Sequence, residues 1–148
     1  MNETRRPRRI LRSIWAMFAG FLVGAVLSLG TDEIMHGLKI YPPWGERMSD
    51  GLFVLATAYR IAYSILGAYV VARLAPDRPM WHAMVLGVIG FVLSVAGAIA
   101  TWNRDLGPHW YAIVIAAIAI PCSWLGAKLF IWKSALPMEK SVASGAQN

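Results

Sequence analysis

Residues 51–72 read GLFVLATAYRIAYSILGAYVVA, 22 residues whose only formal charge is Arg60. A helix needs about 20 mostly apolar residues to cross a bilayer core of roughly 30 Å. This stretch is long enough, and it shows none of the strict alternation that a half-buried strand requires. Three more stretches read the same way. Ser13 to Thr31 has no charge, nor has Pro79 to Asn103 or Leu106 to Ala127. The spans are placed at about 13–31, 51–72, 80–102 and 109–130. A membrane β-barrel would need alternating segments of about 10 residues. The expected fold is therefore an all-α membrane protein, an antiparallel bundle of four transmembrane helices.

Composition agrees. The 148 residues are 57% hydrophobic and 15% charged, where a soluble domain carries roughly 25% charge. So few charges do not cover the surface of a water-soluble domain. A disordered chain is excluded by the same arithmetic. The single cysteine, Cys122, excludes an internal disulfide.

Cations set the expected orientation. Arg5, Arg6, Arg8, Arg9 and Arg12 precede the first span, Arg73 and Arg78 lie between the second and third, and Lys128, Lys133 and Lys140 follow the fourth. Only Lys39, Arg47 and Arg104 fall on the other side, together with Asp32, Glu33, Glu46, Asp50 and Asp105. The bias places both termini in the cytoplasm. It assigns residues 1–12 and 133–148 to polar cytoplasmic tails flanking one membrane domain, 13–132. The small polar end, Ser141 to Asn148, reads as unstructured. The N-terminal arginines then face anionic lipid headgroups, and nucleic acid is not an expected partner. Trp15, Trp81 and Trp132 fall near one interface, and Trp44, Trp102 and Trp110 near the other, as belt residues do.

Arg60 is the one cation that orientation does not explain. It lies nine residues into its span, about 13 Å deep at 1.5 Å per residue. An arginine there costs about 2.5–3.5 kcal/mol on the insertion scale and must face protein or water. Asp32 and Glu33, at the end of the first span, are the available anions. If that helix continues past Gly30, Asp32 comes within reach of Arg60, and an Asp32–Arg60 ion pair is expected. His36 is four residues from Asp32 and shares its helix face. The candidate buried polar cluster is Asp32, Glu33, His36 and Arg60. Trp44, Asp50, Asn103, Asp105 and His109 are the outer-loop candidates. The acids and histidines among them admit a weak oxygen-and-imidazole metal reading. However, no HExxH or CxxC spacing supports it, and no metal or cofactor is expected.

Small residues recur at every fourth position. Ala16, Gly20, Gly24 and Ser28 form one stripe, Ala56, Ser64, Ala68 and Ala72 a second, and Gly87, Gly90, Ser94 and Gly97 fall on the third helix. Such stripes let helix backbones approach closely. The loop Tyr41-Pro42-Pro43-Trp44-Gly45, within a connection of about 18 residues, reads as a stiff aromatic cap. Ser49 and Asp50 then offer an N-cap for the second helix. Pro121 should kink or loosen the fourth helix, with Ser123 able to satisfy the freed backbone.

The strings TDEIMH (31–36), YPPWGERMSDGLFVLATAYR (41–60), ARLAPDRP (72–79) and ATWNRDLGPHWY (100–111) resemble a group of small bacterial membrane proteins with four spans and no assigned activity. The resemblance covers about residues 14–127. It implies a bacterial inner-membrane location and carries over no functional residue. No hydrolase, nucleotide-binding or dinucleotide-binding motif is present. The expected role is a non-enzymatic structural or accessory subunit, with a homo-oligomer or another membrane protein as partner. The alternative is a small-solute or ion transporter or channel subunit with an outward-facing polar site around Arg60, Asp32 and His36. A membrane enzyme is the third reading.

Overall fold

The computed structural model describes residues 5–104 and 107–145, with side chains described for 9–104 and 107–135. It contains four helices: α1 (Arg5–Gly37), α2 (Asp50–Leu74), α3 (Pro79–Thr101) and α4 (His109–Gly145). Each is long and apolar enough to cross a membrane.

The helices overrun the apolar stretches at both chain ends. α1 starts inside the basic tail and continues two turns beyond Thr31, so the connection to α2 is residues 38–49, shorter than expected. α4 continues through most of the segment whose small polar residues suggest no structure. Adding a residue to an existing helix costs little once the helix is nucleated, and Ala, Met, Glu and Lys are good helix formers. α4 also continues as helix through Pro121.

The chain turns follow from local chemistry. At the end of α1, Leu38 N–H donates to Ile34 O, and the amides of Ile40 and Tyr41 both donate to Met35 O. Lys39 takes the left-handed conformation at φ 58°. Glu46 N–H donates to Pro43 O across Trp44 and Gly45. Gly45 has φ 91°, the positive value a type II turn needs at its third residue. Ser49 caps α2 through its carbonyl, which accepts from Leu52 and Phe53, and not through its hydroxyl. Arg78 is left-handed at φ 43° and leads into Pro79 at the first position of α3, where a proline is well suited.

Around the bundle the neighbours run α1, α2, α4, α3. α2 and α3 also meet across the middle, whereas α1 and α4 do not touch among the described residues. α1 and α2 run antiparallel, as do α3 and α4. α2 and α4 run parallel, with Phe53 against Tyr111 near one end and Tyr69 against Phe130 near the other. One end of the bundle carries the 38–49 and 102–108 loops and is called the loop end. The other, with the chain termini and the 75–78 turn, is the terminal end.

The packing is inverted relative to a water-soluble bundle. At the terminal end the buried core residues are small: Ala68, Ala72, Ala83 and Ala127, with Met80 and Phe130 packed against them. Large apolar side chains such as Phe18, Val26, Val54, Val92 and Ile113 point outward. Small residues set the helix seams. A Cβ on Gly67 would sit 2.7 Å from Gly20 O, one on Gly87 2.8 Å from Ser123 Oγ, and one on Gly126 2.8 Å from Ala68 Cβ. Not every stripe residue is at a seam: nothing lies within 4 Å of the Cβ position on Gly97.

Candidate functional site

The polar centre of the molecule lies between α1 and α2 near the loop end. The extra turns of α1 carry Asp32 over α2, where Arg60 Nη2 meets Asp32 Oδ2 at 2.5 Å. The other carboxylate oxygen accepts from the Tyr59 hydroxyl. Tyr59 in turn is 3.2 Å from the hydroxyl of Tyr41. One turn toward the terminal end of α2, the Tyr63 hydroxyl lies 3.0 Å from Thr31 Oγ1. Two adjacent residues of α1, Thr31 and Asp32, therefore grip three residues of α2.

Burial shapes the energetics. The Asp32 side chain is 12% exposed and that of Arg60 32%. Both carboxylate oxygens of Asp32 are satisfied, which is what a buried carboxylate requires. Arg60 is less completely matched: its Nε is buried with no hydrogen-bond partner among the described residues. Tyr111 of α4 lies within electrostatic reach of Arg60, and its ring packs on Phe53 with centroids 4.9 Å apart.

The sequence-derived candidates do not all come together. Asp32 and Arg60 form the pair. Glu33 does not join them; it is exposed, because the residue after Asp32 points about 100° around the helix, away from α2. His36 is linked to the cluster through rings. Its imidazole lies against Trp44 with centroids 3.9 Å apart and edge-on to Tyr41 at 5.4 Å. Tyr41 is buried at 4% exposure, while Trp44 is exposed, so the expected aromatic cap forms with Tyr41 as its inner half. His36 Nδ1 is buried without a partner among the described residues.

The remaining loop candidates lie elsewhere. Asp50 is exposed at the first position of α2, where a negative charge complements the helix dipole. Asn103 and His109 line a second cavity of about 260 Å³ between the ends of α3 and α4, with Arg47 and Arg104. His109 stacks on Trp102 with centroids 4.3 Å apart. Asp105 lies outside the described residues. Among the described residues, no three of His, Cys, Asp and Glu come together as a metal ion would need.

Tyr59, Tyr41, Thr31 and Tyr63 are the cluster members not among the sequence-derived candidates. Tyr59 is adjacent to Arg60, and Thr31 to Asp32. In hindsight the signal was two neighbouring polar residues on each helix, four hydrogen-bonding side chains in spans that otherwise have few.

At the terminal end one further polar contact joins α1 to α3, between His82 Nε2 and Ser13 Oγ at 2.9 Å. Above it the two helices leave a groove of about 380 Å³ that Arg60 lines at its loop end. No family model matches the chain, and no curated protein or solved structure matches it either.

Proposed function

We propose that this chain is a multi-pass protein of the bacterial inner membrane, with both termini in the cytoplasm, acting without catalysis as a structural or accessory subunit. The outward-facing apolar side chains on all four helices support insertion in lipid. Exposed cations at the terminal end, Arg9, Arg12, Arg73, Arg78, Lys128 and Lys133, support a cytoplasmic face there and contact with anionic headgroups.

The observation that carries the accessory role is how the buried polar groups are used. Asp32, Tyr59, Tyr41, Thr31 and Tyr63 are one another's partners. A catalytic base or nucleophile needs a free face toward substrate. These groups are instead consumed in holding α1 on α2.

A transporter or channel subunit is the second reading, favoured by one observation: Arg60 is a third exposed and lines a groove. Two experiments separate the readings. Crosslinking in native membrane, followed by purification in mild detergent, is expected to return the chain in a fixed-stoichiometry assembly, with itself or another membrane protein. A lone monomer combined with proteoliposome flux abolished by Arg60→Ala would overturn the accessory reading in favour of transport.

A further inference from the structure

The groove between α1 and α3 is bordered by Arg60 of the ion pair and by the seam residues Gly20, Gly67 and Gly87, and its space is filled by neither. Its volume, about 380 Å³, falls in the range of small-molecule sites, roughly 300–1,000 Å³. It runs from Leu29 to Gly20 along α1 and from Arg60 to Gly67 along α2, with Gly90, Ser94 and Ala119 on its far wall. Phe21, Leu29 and Leu93 stand exposed at its mouth, so it opens sideways. Contact between Ser13 and His82 closes the helices together below it.

We propose that this groove binds a neutral lipid with one linear apolar tail, its ester carbonyl held by Arg60. The proposal rests on the membrane reading above, since only there does a sideways mouth meet lipid. Contact between α1 and α3 at the terminal end leaves the groove closed below and open at the side, a shape that suits a chain entering from the lipid. Its walls alternate glycine and alanine with Phe21, Leu86, Leu93, Ile115 and Ile118, an apolar lining that a methylene chain fills.

Arg60 selects the head. A guanidinium carries five N–H donors, and the Asp32 carboxylate accepts from Nη2 alone. A carbonyl oxygen can take another. An anionic head is disfavoured because Asp32 and Arg60 already sum to zero, and a third buried charge goes uncompensated.

The test is photolabelling in phosphatidylcholine nanodiscs. The probe is a monoacylglycerol with a diazirine in its tail, and labelled residues are mapped by mass spectrometry. Label is expected on residues 20–29 and 86–94, and unlabelled monoacylglycerol should remove it. Gly90→Leu should lower that labelling about tenfold. A Cβ there is in ordinary contact with Ala119 Cβ, at 3.8 Å, so the substitution starts from open groove and not from a backbone seam, and size-exclusion chromatography checks that the variant stays folded. Gly24→Leu is the second variant; its Cβ lies 3.7 Å from the backbone oxygen of Tyr63, so size-exclusion chromatography checks its fold alongside the labelling. The D32N/R60Q double variant keeps the cluster neutral and should weaken labelling too.

Label spread evenly over exposed faces, or unchanged in both glycine variants, would overturn the site. Stronger competition by an ionised fatty acid than by monoacylglycerol would overturn the neutral head. A chain that enters the disc without groove labelling sinks the groove alone. One that stays out of the disc sinks the membrane reading and the groove with it.

Discussion

The two ends of the bundle hold together by opposite means. At the terminal end, four alanines from α2, α3 and α4 form the core, and seam glycines bring backbones close enough that an added Cβ would collide. At the loop end, α1 and α2 are joined by side chains that reach: Asp32 to Arg60 and Tyr59, Thr31 to Tyr63. Lipid tails are as apolar as leucine, so burial of apolar surface does little to join helices in a membrane. Close packing and hydrogen bonds are what remain. Close packing dominates at the terminal end, where Ser13 and His82 add one hydrogen bond between helices, and hydrogen bonding dominates between α1 and α2 at the loop end.

Substitutions can break that contrast, and their effects should fall in a definite order. Gly126→Leu attacks the terminal end, where a Cβ meets Ala68 Cβ at 2.8 Å and the Tyr69 amide nitrogen at 2.9 Å. Because part of that obstacle is backbone, α2 and α4 must separate. A loss of about 3 kcal/mol or more is expected, read as loss of monodisperse protein in size-exclusion chromatography.

Asp32→Ala attacks the loop end and strands Arg60. Removing one partner of a fully buried pair costs roughly 3–5 kcal/mol, and the one-third exposure of Arg60 brings the expectation down to about 2 kcal/mol. Thermal unfolding in detergent measures it. The charge-reversed pair D32R/R60D should recover expression lost in either single reversal.

Tyr59→Phe removes one hydrogen bond to a carboxylate and should cost about 1.5 kcal/mol in the same assay. Thr31→Val removes a neutral bond between helices, worth about 0.6 kcal/mol in membrane proteins. Glu33→Gln should change stability by less than about 0.5 kcal/mol, as surface substitutions do. A Glu33 effect as large as that of Asp32 would dissolve the distinction between the two acids.

Much of this was legible in the chain. Four apolar stretches without alternation gave four helices, and the single charge in the second, Arg60, pointed to a buried partner. Asp32 was legible as that partner because a helix continued past Gly30 places it nearby. Helix ends were harder to read. Apolar content marks where a helix suits lipid, whereas backbone hydrogen bonding continues into polar sequence, so α1 and α4 run well past it.

The site was only half legible. Tyrosine in a span reads as an apolar body with a polar tip. Only the position of Asp32 shows that Tyr59 turns its tip inward while Trp44 stays exposed. Glu33 was grouped with Asp32 because adjacency in sequence hides the turn of the helix between them. The seam glycines were visible as a pattern, but which ones meet a neighbour depends on the helix order around the bundle. That order leaves Gly20 against Gly67 and leaves Gly97 facing nothing.

The central claim is that Asp32 and Arg60 act as a unit that fastens α1 to α2. A double-mutant cycle with D32A, R60A and the double variant, followed by unfolding in detergent, tests it most directly. The double variant is expected to lose less stability than the two single losses added together, by at least about 1 kcal/mol. Single losses that add to within about 0.3 kcal/mol would contradict it.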